Sequence, residues 1–269
     1  MKLGFIGTGN LATAILRGVV ASGTVGADEI AIFDINAEKV SQLSAELSVN
    51  AFSSASQVIS ECENVVVAVK PKDIASLIES VRADAKKSNP LVISTAAGTE
   101  ISKLLGYFGF DAKIARIMPN INAAVGEAIT AVCVSEAVSD AEKAFALDFC
   151  TCFGKSVYLE EKYFSAFTAI AGSAPAFAYM FADALATAGV KYGLPAKTAQ
   201  DIAAQMMFGS AKMLLQSDKP VSELVRNVCS PGGTTIEGVC SLKETGFENS
   251  VITAIDKSVA KDRLMSSLK

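Results

Sequence analysis

The sequence predicts an α/β fold, a doubly wound parallel sheet, followed by a domain built from helices alone. Three observations predict it. Short Val- and Ile-rich runs without polar alternation recur through the first half, separated by amphipathic segments, as in a parallel sheet covered on both faces. After about residue 162 the strand pattern stops and helical periodicity remains. At 269 residues and 51% apolar composition, the chain exceeds one ordinary domain and can fill a large core and a subunit interface as well.

The elements follow in order. KLGFIG (2–7) is a strand, and NLATAILRGVVAS (10–22) a helix ended by Gly23. EIAIFD (29–34) and AEKVSQLSAELS (37–48) repeat the pair. NVVVAV (64–69), PLVISTAA (90–97) and AKIARIMP (112–119) are further strands, with IASLIESVRADAKK (74–87) as the helix after the first of them. AITAVCV (128–134) and SVYLE (156–160) add two strands around the helix DAEKAFALDFCTCFG (140–154). The border is expected at a tight hinge within 154–163, giving a first domain over 1–160 and a helical one over 161–269.

Within the second half, the stretch from Tyr163 to Ala182 carries no charge, about the length of a membrane span. Its Ala, Ser, Thr and Gly content and the central Pro175 predict instead a helix over about 174–187 buried in a core or dimer interface, with GSAP as a loop that delivers Ser173 or Ala174 as N-cap and Pro175 in the first turn. In the next helix Ile202, Ala203, Met206, Met207, Met213 and Leu214 form one stripe, read as core. A last amphipathic helix is expected over 249–268.

GTGNLA places Gly7, Gly9 and Ala12 in the G-x-G-x-x-G/A pattern between a strand and a helix. The small residues permit a tight turn, close approach of a pyrophosphate to the backbone, and close helix–strand packing. The N–H groups around Asn10 and Leu11 then face the phosphates at the helix start. Asp34 ends the second strand, where its carboxylate accepts from ribose hydroxyls and repels a 2′-phosphate. No arginine follows it and the nearest cation is Lys39, so NADH is expected over NADPH. This is a Rossmann-type dinucleotide site. Hydride transfer is the leading chemistry; a redox sensor that binds the dinucleotide without turnover is the alternative.

Composition excludes much else. The chain has no histidine, which removes Ser-His-Asp and Cys-His nucleophiles and His metal centres. Its six cysteines lack metal-ligand spacing, so no metal is expected. A formal charge of −4 without a basic run argues against nucleic acid. MKLGFIG is too short an apolar run for a secretory leader, and a cytoplasmic protein with free thiols is expected.

A second glycine loop, CSPGGTTIEG, lies at 229–238. Pro231 sets one turn angle, Gly232 and Gly233 permit left-handed backbone, and Thr234 or Thr235 is placed to cap a following helix. The reading is either an ordinary helix entry or an anion nest, with consecutive N–H groups and the Ser230 and Thr235 hydroxyls converging on a carboxylate or phosphate.

The blocks KLGFIGTGNLATAI, AVKPKD, ISTAAGT, RIMPN, TAIAGSAPAF, AGVKYGLP and VCSPGGTTIEGV occur in an order that resembles pyrroline-5-carboxylate reductases over essentially the whole chain. The resemblance implies reduction of 1-pyrroline-5-carboxylate to L-proline with NADH or NADPH. It also implies that the helical domain interlocks with a twin in a homodimer or larger assembly. Ala68, Val69, Lys70 and Pro71, with Ala96, Ala97 and Gly98, then look like cofactor-cleft loops, and Met118, Pro119 and Asn120 like the wall beside the nicotinamide. Ser230, Gly232, Gly233, Thr234 and Thr235 resemble the cradle for the substrate carboxylate, with Thr235, Ser230 and Lys70 nearest the chemistry. The chain departs from the family at Ala174, where GSGP is usual, at Cys229, where Thr is common, and over 165–168. Hydroxyacid dehydrogenases share the layout but need a lysine on the first long helix of the second domain; none stands between Tyr163 and Ala182.

Overall fold

The computed structural model describes residues 1–267, so Leu268 of the expected last helix and Lys269 of the expected second domain lie outside the described residues. The chain divides into two compact units. One runs from Met1 to Gly172 and regains the chain from Val259; the other is Ser173–Ser258.

The first unit holds an eight-stranded sheet in the order β3-β2-β1-β4-β5-β6-β7-β8. Its strands are β1 (Leu3–Ile6), β2 (Ile30–Phe33), β3 (Asn50–Ala51), β4 (Asn64–Val67), β5 (Leu91–Ser94), β6 (Ile114–Met118), β7 (Ala128–Val134) and β8 (Gly154–Tyr158). All seven expected strands are present. The short β3 is added, too brief and polar to carry a periodic signal. The expectation of an all-parallel sheet needs one correction: β7 runs antiparallel to β6. Between β6 and β7 the chain forms a 3-10 turn, Ile121–Val125, closed by Gly126, instead of a crossover helix, and parallel neighbours need a crossover.

Helices α1 (Asn10–Ser22), α2 (Ala37–Leu47), α3 (Ala55–Glu61), α4 (Ile74–Ser88), α5 (Ile101–Phe108) and α6 (Asp140–Thr151) cover both faces. Alternate residues of each strand supply two cores. Phe5, Ile32, Ile93, Ile117 and Val132 pack with Ile15, Leu16, Phe149 and Phe153 on one face. Ile6, Ala31, Val65, Val67 and Ile114 pack with Ile74, Ile78, Leu104 and Phe108 on the other. Burial on both sides is why these strands lack polar alternation.

At the GSAP entry the expected N-cap Ser173 and first-turn Pro175 are present, but the loop expected before them is helical. A short α7 (Phe164–Phe167) leads through a π-helical turn, Thr168–Ser173, into α8 (Ala174–Lys191), with Pro175 in its first turn. Pro lacks only an N–H that is unpaired at that position anyway, so the helical path continues past the expected break. By length and composition alone the run Glu161–Lys191 suffices to cross a membrane.

The helical unit comprises α8 with α9 (Ala196–Gln216), α10 (Val221–Val228), α11 (Thr234–Glu244) and the start of α12 (Phe247–Ser267). Here the expected methionine core is corrected. Ala199 and Ala203 are buried, but Ile202, Met206, Met213 and Leu214 are 43–60% exposed in the single chain. Tyr179, Met180, Phe208 and Leu215 are exposed as well, so large apolar side chains of α8 and α9 face outward in the single chain.

Candidate functional site

Strand order reverses direction at β1, whose neighbours are β2 on one side and β4 on the other. Ligands of open α/β sheets bind beyond the carboxyl ends of the strands at such a point. Gly7 follows β1 there with φ +96°, and a Cβ on it would lie 2.6 Å from the Ala68 carbonyl oxygen. Both facts demand glycine. Gly9 is different: a Cβ there would meet nothing within 4 Å. Its missing side chain leaves the approach to α1 open. The helix starts at Asn10 without a side-chain cap and without an acidic residue in its first turn, so the first-turn N–H groups are left for an external anion. These features fit a dinucleotide pyrophosphate.

A cleft of about 590 Å³ opens beside this loop, lined among others by Gly7, Gly9, Asp34, Ile35, Ala68, Val69, Lys70 and Lys72. Sequence reasoning named Gly7, Gly9, Asp34, Ala68, Val69 and Lys70, and the fold brings them together. It missed Ile35, which stands 97% exposed at the mouth, and Lys72 with Ser76 and Ser80 of α4. The one signal for Ile35 was an apolar residue directly after the acidic end of β2.

Asp34 is tied into the loop it serves. Its Oδ2 accepts the Thr8 backbone N–H at 2.6 Å and the Thr8 hydroxyl at 3.1 Å, and its Oδ1 accepts the Asn36 N–H at 2.9 Å. Partial burial pushes the carboxyl up, but the Asn36 and Thr8 hydrogen bonds and the nearby Lys39 charge outweigh it, holding Asp34 below the usual carboxylate range.

Other named residues lie elsewhere in this unit. Ala12 is buried in the core and Leu11 packs against it, so only their backbone serves the loop. Asn10 lines a separate cleft along α1 and α2. Pro71 opens a 3-10 turn at the foot of α4. Ala97 is exposed while Gly98 is buried with φ +68°, a left-handed turn before α5. Asn120 is 6% exposed; its Nδ2 donates to the Ala171 carbonyl at 3.0 Å and its Oδ1 has no partner. A buried acceptor without a donor is costly unless a ligand or water supplies one.

The second loop belongs to the helical unit. Gly232 adopts φ +66° and Gly233 is extended at φ −86°, ψ 170°, so only the first is left-handed. The Gly233 N–H closes the turn on the Ser230 carbonyl at 3.0 Å. Gly233, not a threonine, is the N-cap of α11, and no side chain caps it. Thr234 and Thr235 occupy the first two helical positions, exposed like Ser230. Their hydroxyls are therefore not spent as caps, and the first-turn N–H groups face outward. This supports the anion nest over the ordinary capped entry.

Comparison with known proteins adds to these features. Residues 161–265 match the family described as pyrroline-5-carboxylate reductase dimerisation, and residues 2–98 the family described as NADP oxidoreductase, coenzyme F420-dependent. The pyrroline-5-carboxylate reductase of Escherichia coli K12 is 37% identical, with 98% of each chain covered. That of Arabidopsis thaliana is 34% identical, over 98% of this chain and 95% of the relative. The Plasmodium falciparum pyrroline carboxylate reductase crystallised with NADP bound superposes with a TM-score of 0.85 at 30% identity, covering 99% and 98% of the two chains. A pyrroline-5-carboxylate reductase from Coxiella burnetii superposes with a TM-score of 0.94 at 27% identity, covering 98% of each. The 3-hydroxyisobutyrate dehydrogenase of Mycobacterium tuberculosis, at 17% identity and a TM-score of 0.50 over 75% and 69% of the chains, shares the fold alone.

Proposed function

This chain belongs to the pyrroline-5-carboxylate reductase family, and on that premise we propose how its residues divide the work of reducing 1-pyrroline-5-carboxylate to L-proline with NAD(P)H, the last step of proline biosynthesis. When bound, the reduced nicotinamide supplies a hydride to the imine carbon. The chain's own groups bind and orient. The uncapped start of α1 with Gly7 and Gly9 holds the pyrophosphate, and Asp34 accepts from the adenosine ribose, favouring NADH. Lys70 contributes positive charge at the cleft edge, and Ala97, Gly98 and Asn120 border the nicotinamide.

Ser230, Thr234 and Thr235, with the first-turn N–H groups of α11, take the substrate carboxylate. Gly232 supplies the left-handed corner that the cradle needs. A protonated cyclic imine is already electrophilic, so holding it against the nicotinamide supplies most of what the reaction requires. The Thr235 hydroxyl orients the ring nitrogen or relays its proton from water, a role open to it because it caps nothing. This removes the need for histidine.

Residues 1–160 then form the cofactor domain and 161–269 the substrate and dimerisation domain. The exposed apolar faces of α8 and α9 pack against a second copy, in a cytoplasmic homo-oligomer with neither nucleic acid nor membrane as partner. One observation carries the reading: an uncapped glycine turn, Ser230–Gly233, leads into α11 within the segment that matches the reductase dimerisation family. Purified protein given pyrroline-5-carboxylate with NADH or NADPH should oxidise the cofactor. Absence of turnover with both cofactors overturns it.

A further inference from the structure

Arg116 lies in the middle of β6, inside the sheet unit, and is 6% exposed. Its guanidinium donates to Glu161 Oε1 at 2.7 Å and rests 4.6 Å above the Phe164 ring. The same carboxylate oxygen accepts the backbone N–H of Ile101, the first residue of α5, at 2.9 Å. One carboxylate thus joins β6, α5 and the segment that starts at Glu161. Further along the same strand direction, the Asn120 amide fastens to Ala171. Two attachments on residues 161–171 therefore hold β6 and the turn after it, one before Met118 and one behind Pro119.

A buried arginine is expensive to desolvate, and a well-packed apolar pair at the same place is often equally stable or more so. Stability alone gives no reason for the pair. Its position does. Arg116 leads through Ile117 into Met118, Pro119 and Asn120, and Ile101 follows the Ala97–Gly98 turn after Thr99 and Glu100. We infer that Arg116 and Glu161 are positioning residues that hold these two walls in register. The inference rests on the reading that both walls border the nicotinamide. A guanidinium that is hydrogen-bonded to a carboxylate and stacked on a ring resists sliding and rotation in a way that apolar contacts do not, and the placement of reacting atoms governs hydride transfer.

The test compares wild type with Glu161→Gln, Arg116→Met and the double variant. Glu161→Gln leaves an unpaired buried charge and lowers the thermal midpoint. The double variant has no such charge and regains the wild-type midpoint. Its kcat should nevertheless stay roughly tenfold or more below wild type, with the NADH dissociation constant unchanged because the Gly7–Asp34 end is untouched. Recovery of kcat together with the midpoint shows a merely structural pair and overturns the inference. Hydrogen exchange separates this from a failure of the functional reading, since it needs no substrate. The amides of residues 97–99, Met118 and Asn120 should exchange faster in the double variant, and unchanged protection overturns the inference whether or not wild type turns over.

Discussion

Thr8 presents its backbone N–H and its hydroxyl to the same oxygen of Asp34, at 2.6 and 3.1 Å. The residue is 2% exposed, so the glycine loop and the acidic end of β2 move as one piece. The carboxylate proposed to face the ribose is therefore also the brace of the glycine loop, and its depressed pKa keeps it charged through the neutral range.

Removing that charge without removing the brace isolates its effect on cofactor choice. Asp34→Asn keeps an oxygen for the Thr8 N–H. It should shift the ratio of kcat/KM for NADPH over NADH upward by roughly tenfold, the scale of one partly screened charge contact. An unchanged ratio in parallel assays would show that Asp34 does not select the cofactor.

Thr235→Ala should lower kcat/KM for pyrroline-5-carboxylate by on the order of a hundredfold with NADH affinity preserved. Because the hydroxyl caps nothing, the unfolding free energy should stay within about 0.5 kcal/mol of wild type. A matching loss of stability in urea titrations would make Thr235 a structural residue instead.

The thiols should divide by burial. Desolvation pushes Cys62 up to about 11 and Cys133 up to about 12, the latter helped by the Glu161 charge, and it raises Cys150 further. The thiolate is the reactive form, so iodoacetamide at pH 8 should leave these three unmodified in the native protein. Cys229, half-exposed beside Ser230, should react and slow turnover. Mass spectrometry reads the sites, and full modification of Cys229 at undiminished rate would remove it from the neighbourhood of the cradle.

Glu142 links stability to pH. Burial raises its pKa, but the Lys113 ammonium at 2.7 Å and the Ser139 capping box outweigh this and lower it below the usual carboxylate range. A depressed carboxylate stabilises the fold above its unfolded pKa and loses that contribution as pH falls through the folded value. Glu142→Gln should therefore cost about 1 kcal/mol at pH 7, and the gap to wild type should narrow at pH 3. A gap that is the same at both pH values contradicts the ionic contribution.

The open apolar surface of α8 should be covered in solution. Met180, 71% exposed in the single chain, changed to Glu should weaken self-association. Light scattering should then show a species of lower mass than wild type, with turnover reduced. An assembly of unchanged mass would place Met180 outside the interface.

Much of the first unit was legible because doubly buried strands leave continuous Val and Ile runs, and because Gly7, Gly9 and Asp34 sit at spacings that local backbone geometry imposes. β3, α3 and α5 escaped notice because a two-residue strand and helices of seven and eight residues hold too few periods to detect. The place of Pro175 in the first turn of α8 is as expected, since at a helix start its missing N–H costs nothing, but the residues before it form a π-helical turn instead of a loop.

The sequence by itself determined the order of strands and helices, the dinucleotide loop, the absence of histidine chemistry and the SPGGTT signature. These depend on residue type and on neighbours a few positions away. Only the tertiary structure decided that Gly233 and not a threonine caps α11, that Thr8 braces Asp34, and that Glu161 binds Arg116 and Ile101 at once. The pairings of Thr8 and Glu161 join residues from 26 to 60 positions apart, where no local period carries a signal. They exist because the folded sheet brings distant polar groups into a low-dielectric interior, where each must find a partner.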